Sequence, residues 1–327
     1  MVLVCRNANF YHRSKGSIEN RRAVSIHSFD ILDMSSAQPS NKVVAPKKLS
    51  YLNAVILIIL LANGFCTDLF AQVSSPIFRD EFEGEVGTPV DSTKWSAEIG
   101  GGGWGNEELQ FYTESKENAF HDGTGSLAIK ALKLEPGTKL DCWYGKCQYT
   151  SARVITKGKF DFRYGRVEAR IKVPGGAGVW PAFWMLGNDI DKTGWPNCGE
   201  IDVMEFIGRE PSTVYGTLHG PGYSGANGVG GSMSVSAERI FDDFHVFAVE
   251  WTKDDIRWFF DGKNYKTITR HDIPPKTRWV FDHPFFIILN FAVGGKWPGS
   301  PDGSTKFPQS MLIDYVRVYG LDGTHMK

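Results

Sequence analysis

Gly165-Arg166-Val167-Glu168-Ala169-Arg170-Ile171-Lys172-Val173 alternates apolar and charged side chains after its opening glycine. Successive side chains of an extended chain point to opposite faces. Val167, Ala169, Ile171 and Val173 therefore share one face, and the charges take the other. This pattern predicts a strand with one side against a core. Further β-type runs are Ser126–Ala131, Phe244–Trp251, Ile256–Phe260 and Leu312–Tyr319. Phe260-Asp261-Gly262-Lys263 predicts a hairpin turn between two strands. No long segment carries a helical period. From about Ser75 onward the chain predicts short antiparallel strands punctuated by Gly, Pro and Asp, which means an all-β sandwich or barrel. The absence of a central linker favours one large sandwich over residues 76–320. Gly100–Gly103 and Gly220–Ser232 predict surface loops, the kind that rim a binding cleft.

The 327 residues are 42% hydrophobic and 22% charged, enough to bury a sizeable core. A net charge of −1 offers nothing to a nucleic acid or an anionic membrane. Ten Trp, 22 Phe and 36 Gly suit a β-protein that binds something flat and polar, such as sugar rings, although most of the Phe belong to a core. A monomer is expected, with no stable membrane association.

Residues 1–48 are polar and lack sustained periodicity. Lys47-Lys48 then precedes a short apolar run, Leu52–Ala62, broken by Asn63-Gly64. Residues 49–71 thus predict a secretory segment cleaved near Ala71-Gln72. Met34 would give a leader of ordinary length. Export permits disulfides. Cys142 and Cys147 could close a small loop and leave Cys198 unpaired. No Cys/His spacing reads as a zinc site.

The chemistry is concentrated in Gly199-Glu200-Ile201-Asp202-Val203-Met204-Glu205. Alternation places Glu200 and Asp202 on one face of a strand, and Glu205 on the other. A one-residue bulge near Val203-Met204 would return Glu205 beside them. Cleavage with retention of configuration needs a nucleophilic carboxylate and an acid/base carboxylate about 5–5.5 Å apart. Asp202, lying between the glutamates, would raise the proton affinity of a neighbour. The alternative reading of this run is a solvated acidic edge strand.

The chain resembles glycoside hydrolase family 16, and within it the laminarinase-type endo-1,3-β-glucanases. The resemblance spans roughly residues 76–320. It rests on Gly103–Gln110, Tyr164–Arg170, Trp180–Met185, the acidic strand, Thr217–Gly220 and Asn290–Gly295. It implies a jelly roll of two curved antiparallel sheets with a substrate cleft on the concave face. It implies Glu200 as nucleophile, Asp202 as assisting carboxylate and Glu205 as acid/base. The spacing Glu-x-Asp-x-x-Glu is like that of laminarinases, agarases and carrageenases; lichenases resemble the shorter Glu-x-Asp-x-Glu. The Trp-rich flanks favour β-1,3-glucan as partner.

Trp180 and Trp184, four apart, would share a strand face and stack on glucose rings. Trp104 and Trp297 are further candidates at the cleft rim. Asn106, Arg166 and His219 are expected to bind hydroxyls or the acid/base group; the alternative for Arg166 is a surface salt bridge. Catalysis needs no cofactor on this reading. The resemblance also implies a structural calcium held by Glu81, Asp314 and a carbonyl near Gly123. Hydrolysis of mixed-linkage glucan, agar or carrageenan, transglycosylation, and non-catalytic glucan recognition are the competing functions.

Overall fold

The computed structural model describes residues 75–235 and 239–320. The polar stretch 1–48, the leader at 49–71 and its cleavage point all lie outside the described residues. In chain order the first strands are β1 (Phe78–Asp80), β2 (Ser96–Ala97), β3 (Gln110–Tyr112), β4 (Ala119–His121), β5 (Leu127–Lys133) and β6 (Asp141–Cys142). Then come β7 (Gly145–Lys146), β8 (Tyr149–Ser151), β9 (Arg153–Ile155), β10 (Gly165–Lys172), β11 (Val179–Gly187) and β12 (Glu200–Phe206). The last are β13 (Thr213–His219), β14 (Val229–Ser234), β15 (His245–Trp251), β16 (Asp255–Phe260), β17 (Lys263–Thr269), β18 (Phe285–Val293) and β19 (Gln309–Tyr319). One short α-helix, α1 (Ile190–Thr193), lies between β11 and β12.

Ten strands form one sheet along the path β17-β16-β15-β10-β19-β5-β8-β3, with β1 added to β19 and β4 to β5. Seven form the other, in the order β14-β13-β12-β11-β18-β9-β2. Pairing is antiparallel except between β3 and β8. The result is the expected all-β jelly-roll sandwich. A small separate hairpin, β6-β7, closes with a disulfide between Cys142 and Cys147. Cys198 is free and buried.

The run that predicted the fold behaves as read. Val167, Ala169 and Ile171 of β10 are fully buried, while Arg166, Glu168 and Arg170 turn outward. They meet Phe183 and Met185 of β11 and Ile287 and Leu289 of β18 in one apolar core between the sheets. β18 is buried along its whole length, as befits a central strand covered on both faces. The β16–β17 turn has Asp261 and Gly262 both at positive φ, 47° and 77°, the primed geometry a two-residue hairpin needs.

One expectation changes. The stretch read as a glycine-rich loop, Gly220–Ser232, runs into strand β14, which begins at Val229 and pairs with β13. A Cβ on Gly230 would sit 2.5 Å from the Gly216 carbonyl oxygen. Here glycine allows close backbone approach within a sheet, so it marks neither a turn nor a loop.

Candidate active site

Cross-strand register lays the site out across the open face of the seven-stranded sheet. Arg153, Asn290, Ala182, Glu205 and Tyr215 form one row. Ile155, Ile288, Trp184, Asp202 and Thr217 form the next, and Phe286, Leu186, Glu200 and His219 a third. Residues paired in this way project from the same face.

The bulge that the acidic strand called for is present. Phe183 pairs with Met204 and Trp184 with Asp202, so Val203 is skipped. On the other side, Asp202 pairs with Thr217 and Glu205 with Tyr215, leaving two residues opposite Gly216. Val203 and Met204 are both buried in the core. The extra residue is therefore absorbed inward, and Glu200, Asp202 and Glu205 all reach the same side. Trp258, from the facing sheet, donates its indole N–H to the Asp202 carbonyl at 2.7 Å. A Cβ on Gly216 would lie 2.2 Å from that indole, so glycine is required there.

Burial dominates the proton chemistry of the three carboxyls. It pushes Glu200 up to about 8, with the charge of Asp202 adding and His219 opposing. It pushes Asp202 up to about 7. Glu205 is raised well above the usual carboxylate range, again by burial first and the Asp202 charge second. Glu200 and Asp202 act on each other: a hydrogen bond between the two carboxyls raises Glu200 further and lowers Asp202. Trp195 donates its indole N–H to Glu200 Oε2 at 2.6 Å, and Trp180 donates to Glu205 Oε1 at 3.2 Å. His219 Nε2 lies 3.2 Å from Asp202 Oδ2 and 3.7 Å from Glu200 Oε1. Neither Asp202 Oδ2 nor His219 Nδ1 has an aligned hydrogen-bond partner.

Aromatic side chains line the rest. Trp297 packs edge-on against Trp180 and Tyr215, with ring centroids 5.5 and 5.1 Å apart. Trp184 donates to Asn290 Oδ1 at 2.6 Å. The Arg153 guanidinium lies 4.7 Å from the ring centres of both Trp104 and Trp184. Asn106 is exposed two residues after Trp104, its amide 3.3 Å from Glu108 Oε1. A carboxylate pair with a third carboxyl between them, flanked by indoles, is equipped to break a glycosidic bond.

Comparison with known proteins agrees. The sequence model of Glycosyl hydrolases family 16 matches residues 106–317. The chain belongs to glycosyl hydrolase family 16. It is 42% identical over 252 residues to a beta-glucanase of Rhodothermus marinus, covering 74% of this chain and 84% of that one. The laminarinase catalytic domain of Thermotoga maritima superposes with a TM-score of 0.70 at 47% identity, covering 76% of this chain and 98% of that chain. The endo-beta-1,3-glucanase of Pyrococcus furiosus gives 0.69 at 47%, covering 75% and 94%. The chain is thus a glycoside hydrolase.

One sequence expectation fails in this family 16 hydrolase. Arg166 sits on β10, in the other sheet, where it pairs with Glu168 at 2.9 Å and Glu250 at 3.2 Å. It points away from the core on the far side from the carboxylates, so it binds no substrate in their cleft. Two of the residues expected to hold calcium are engaged with arginines. Both oxygens of Glu81 accept from Arg317, at 2.9 and 2.6 Å, and Asp314 accepts from Arg170 at 2.9 Å. Glu81 thus faces a guanidinium with both oxygens and Asp314 with Oδ2 alone. Gly123 packs its Cα face on Val86.

The sequence reading assigned no role to Arg153, Trp195 or Asn290, nor to the buried Glu108. Glu108 accepts from Gln110 at 2.6 Å and Tyr112 at 3.2 Å. Tyr112 in turn accepts from Asn290 at 3.0 Å. This polar chain ties the 103–110 loop to Trp184. Trp195, just ahead of the acidic strand, was the one such residue its position could have flagged.

Proposed function

We propose that the protein is a secreted endo-β-1,3-glucanase that cleaves laminarin-type glucans with retention of configuration. The observation that carries the reading is the bulge that turns Glu200 and Glu205 to one face with Asp202 between them. Glu205, a carboxyl kept protonated by its burial and by the Asp202 charge, gives its proton to the glycosidic oxygen as the bond to the anomeric carbon breaks. Glu200 attacks that carbon from the opposite side and forms a glycosyl ester. For this step Glu200 must be anionic under the Trp195 N–H, with the proton held on Asp202 instead. Glu205, now ionised, takes a proton from water, and the resulting attack frees Glu200. The named activities of the relatives support β-1,3-glucan as substrate. The basic start and short apolar run before Ala71 support export.

The test is product release from laminarin, run beside lichenan, agarose and carrageenan. Short oligosaccharides are expected from laminarin, and Glu205→Gln should cut the rate by about 100-fold or more. Cleavage of a galactan but not of laminarin would overturn the substrate while leaving the mechanism.

A further inference from the structure

The β6-β7 hairpin has no part in the chemistry above, yet it presents one of the most exposed large apolar side chains among the described residues. Trp143 is 49% exposed. It is not loose. Its backbone N–H donates to the Gly101 carbonyl at 2.9 Å and its indole N–H to the Glu108 carbonyl at 2.7 Å. Tyr144 beside it donates to the Leu109 carbonyl at 2.7 Å. The Cys142–Cys147 disulfide closes the hairpin behind both.

The indole lies against glycine. A Cβ on Gly103 would come within 2.9 Å of the Trp143 ring. One side of the ring thus rests on bare backbone while half its surface meets solvent. The loop beneath is conformationally costly. Gly103, Trp104 and Gly105 are consecutive residues at positive φ, and Glu107 is a further one. Non-glycine residues held in this region persist only where their surroundings enforce it, and they cluster at binding sites. The hairpin braces this loop on either side, at Gly101 and at Glu108 and Leu109.

Position gives the fixed ring a purpose. From β12 the sheet runs through β11, β18 and β9 to β2, and Gly100 lies three residues beyond the end of β2. Trp104, whose indole donates to the Gly100 carbonyl at 3.1 Å, stacks on Arg153 of β9. Trp143 packs on Gly103, the residue just before Trp104, and so belongs to the same sheet edge. Four strand steps of about 4.8 Å put this edge roughly 19 Å from the carboxylates.

We propose that Trp143 is a remote sugar-binding platform, filled by a glucosyl residue of the same glucan chain that occupies the catalytic cleft. Only substrates long enough to reach the β2 edge use it. The inference rests on the glucanase reading above.

The test compares Trp143→Ala with the unaltered protein on laminarin and on a short β-1,3-gluco-oligosaccharide. With laminarin, kcat/KM should fall about three- to tenfold, mainly through KM. With the short substrate it should stay within about twofold. Trp143→Phe should recover part of the loss, and Cys142→Ser/Cys147→Ser should show the same long-chain defect. Equal losses on both substrates would make the hairpin a structural support only, and no loss on laminarin would remove the platform altogether. If the unaltered protein ignores laminarin but cleaves another glucan, the substrate reading fails, and the long-to-short comparison is then decided on that glucan. No cleavage of any glucan would overturn both.

Discussion

Glu200 carries a proton affinity out of keeping with an ordinary carboxyl, and the cost of that falls on stability. Its folded value of about 8 lies above the unfolded value of about 4.3. Well below pH 4 both states hold the proton and nothing is lost. As pH rises from about 4 to 8, the unfolded chain ionises while the folded one retains the proton. Stability therefore drains across that window and is gone above it. Glu200→Gln removes the titration. Its melting temperature should match the unaltered protein at pH 4 and exceed it by about 2–6 °C at pH 8. Thermal melts at the two pH values check this; a gain of equal size at both would mean that a changed contact, not ionisation, is responsible. His219 and Trp195 belong to the same small balance, each favouring the anion that attack requires.

At the scale of elements, alternation told which face a side chain takes but not which sheet its strand joins. That is why Arg166 misled. Its run, Gly165–Val173, was correctly read as a half-buried strand, and Arg166 was correctly placed outward. Only long-range pairing with β15 and β19 puts it on the far sheet. Arg166→Ala should accordingly leave kcat/KM on laminarin within about twofold; a loss above tenfold would return the residue to the cleft. The bulge was legible because charge in an apolar run has few physical excuses. The Trp180/Trp184 face was legible from spacing alone. Arg153 was not, because β9 is three residues long and gives no period to read. β14 was hidden by its glycines. The network from Glu108 to Trp184 joins residues almost two hundred positions apart in the chain, and no local pattern encodes such contacts.

For the whole molecule, the two sheets are stitched by more than apolar packing. Trp258 reaches through from the ten-stranded sheet to hold the backbone of Asp202. The outer face of that sheet is laced by arginine–carboxylate pairs, among them Arg317–Glu81 and Arg170–Asp314. These pairs already neutralise the two carboxylates that the family resemblance implied as calcium ligands. Chelator treatment should therefore leave the melting temperature unchanged, and added calcium should not raise it. A calcium-dependent rise would mean that the cation displaces the guanidiniums.

The rows of the seven-stranded sheet run across its strands, from Arg153 through Asn290 and Ala182 to Glu205 and Tyr215. A polymer lying along such a row is gauged by the sheet as by a ruler whose graduations are the strands. Each graduation is fixed by backbone hydrogen bonding and cannot be stretched by changing a side chain. The span available to the polymer thus changes in whole strand widths, by adding or trimming strands at the β2 and β14 margins. Mutation within a strand can alter how firmly one unit is gripped, but not how many units the ruler counts.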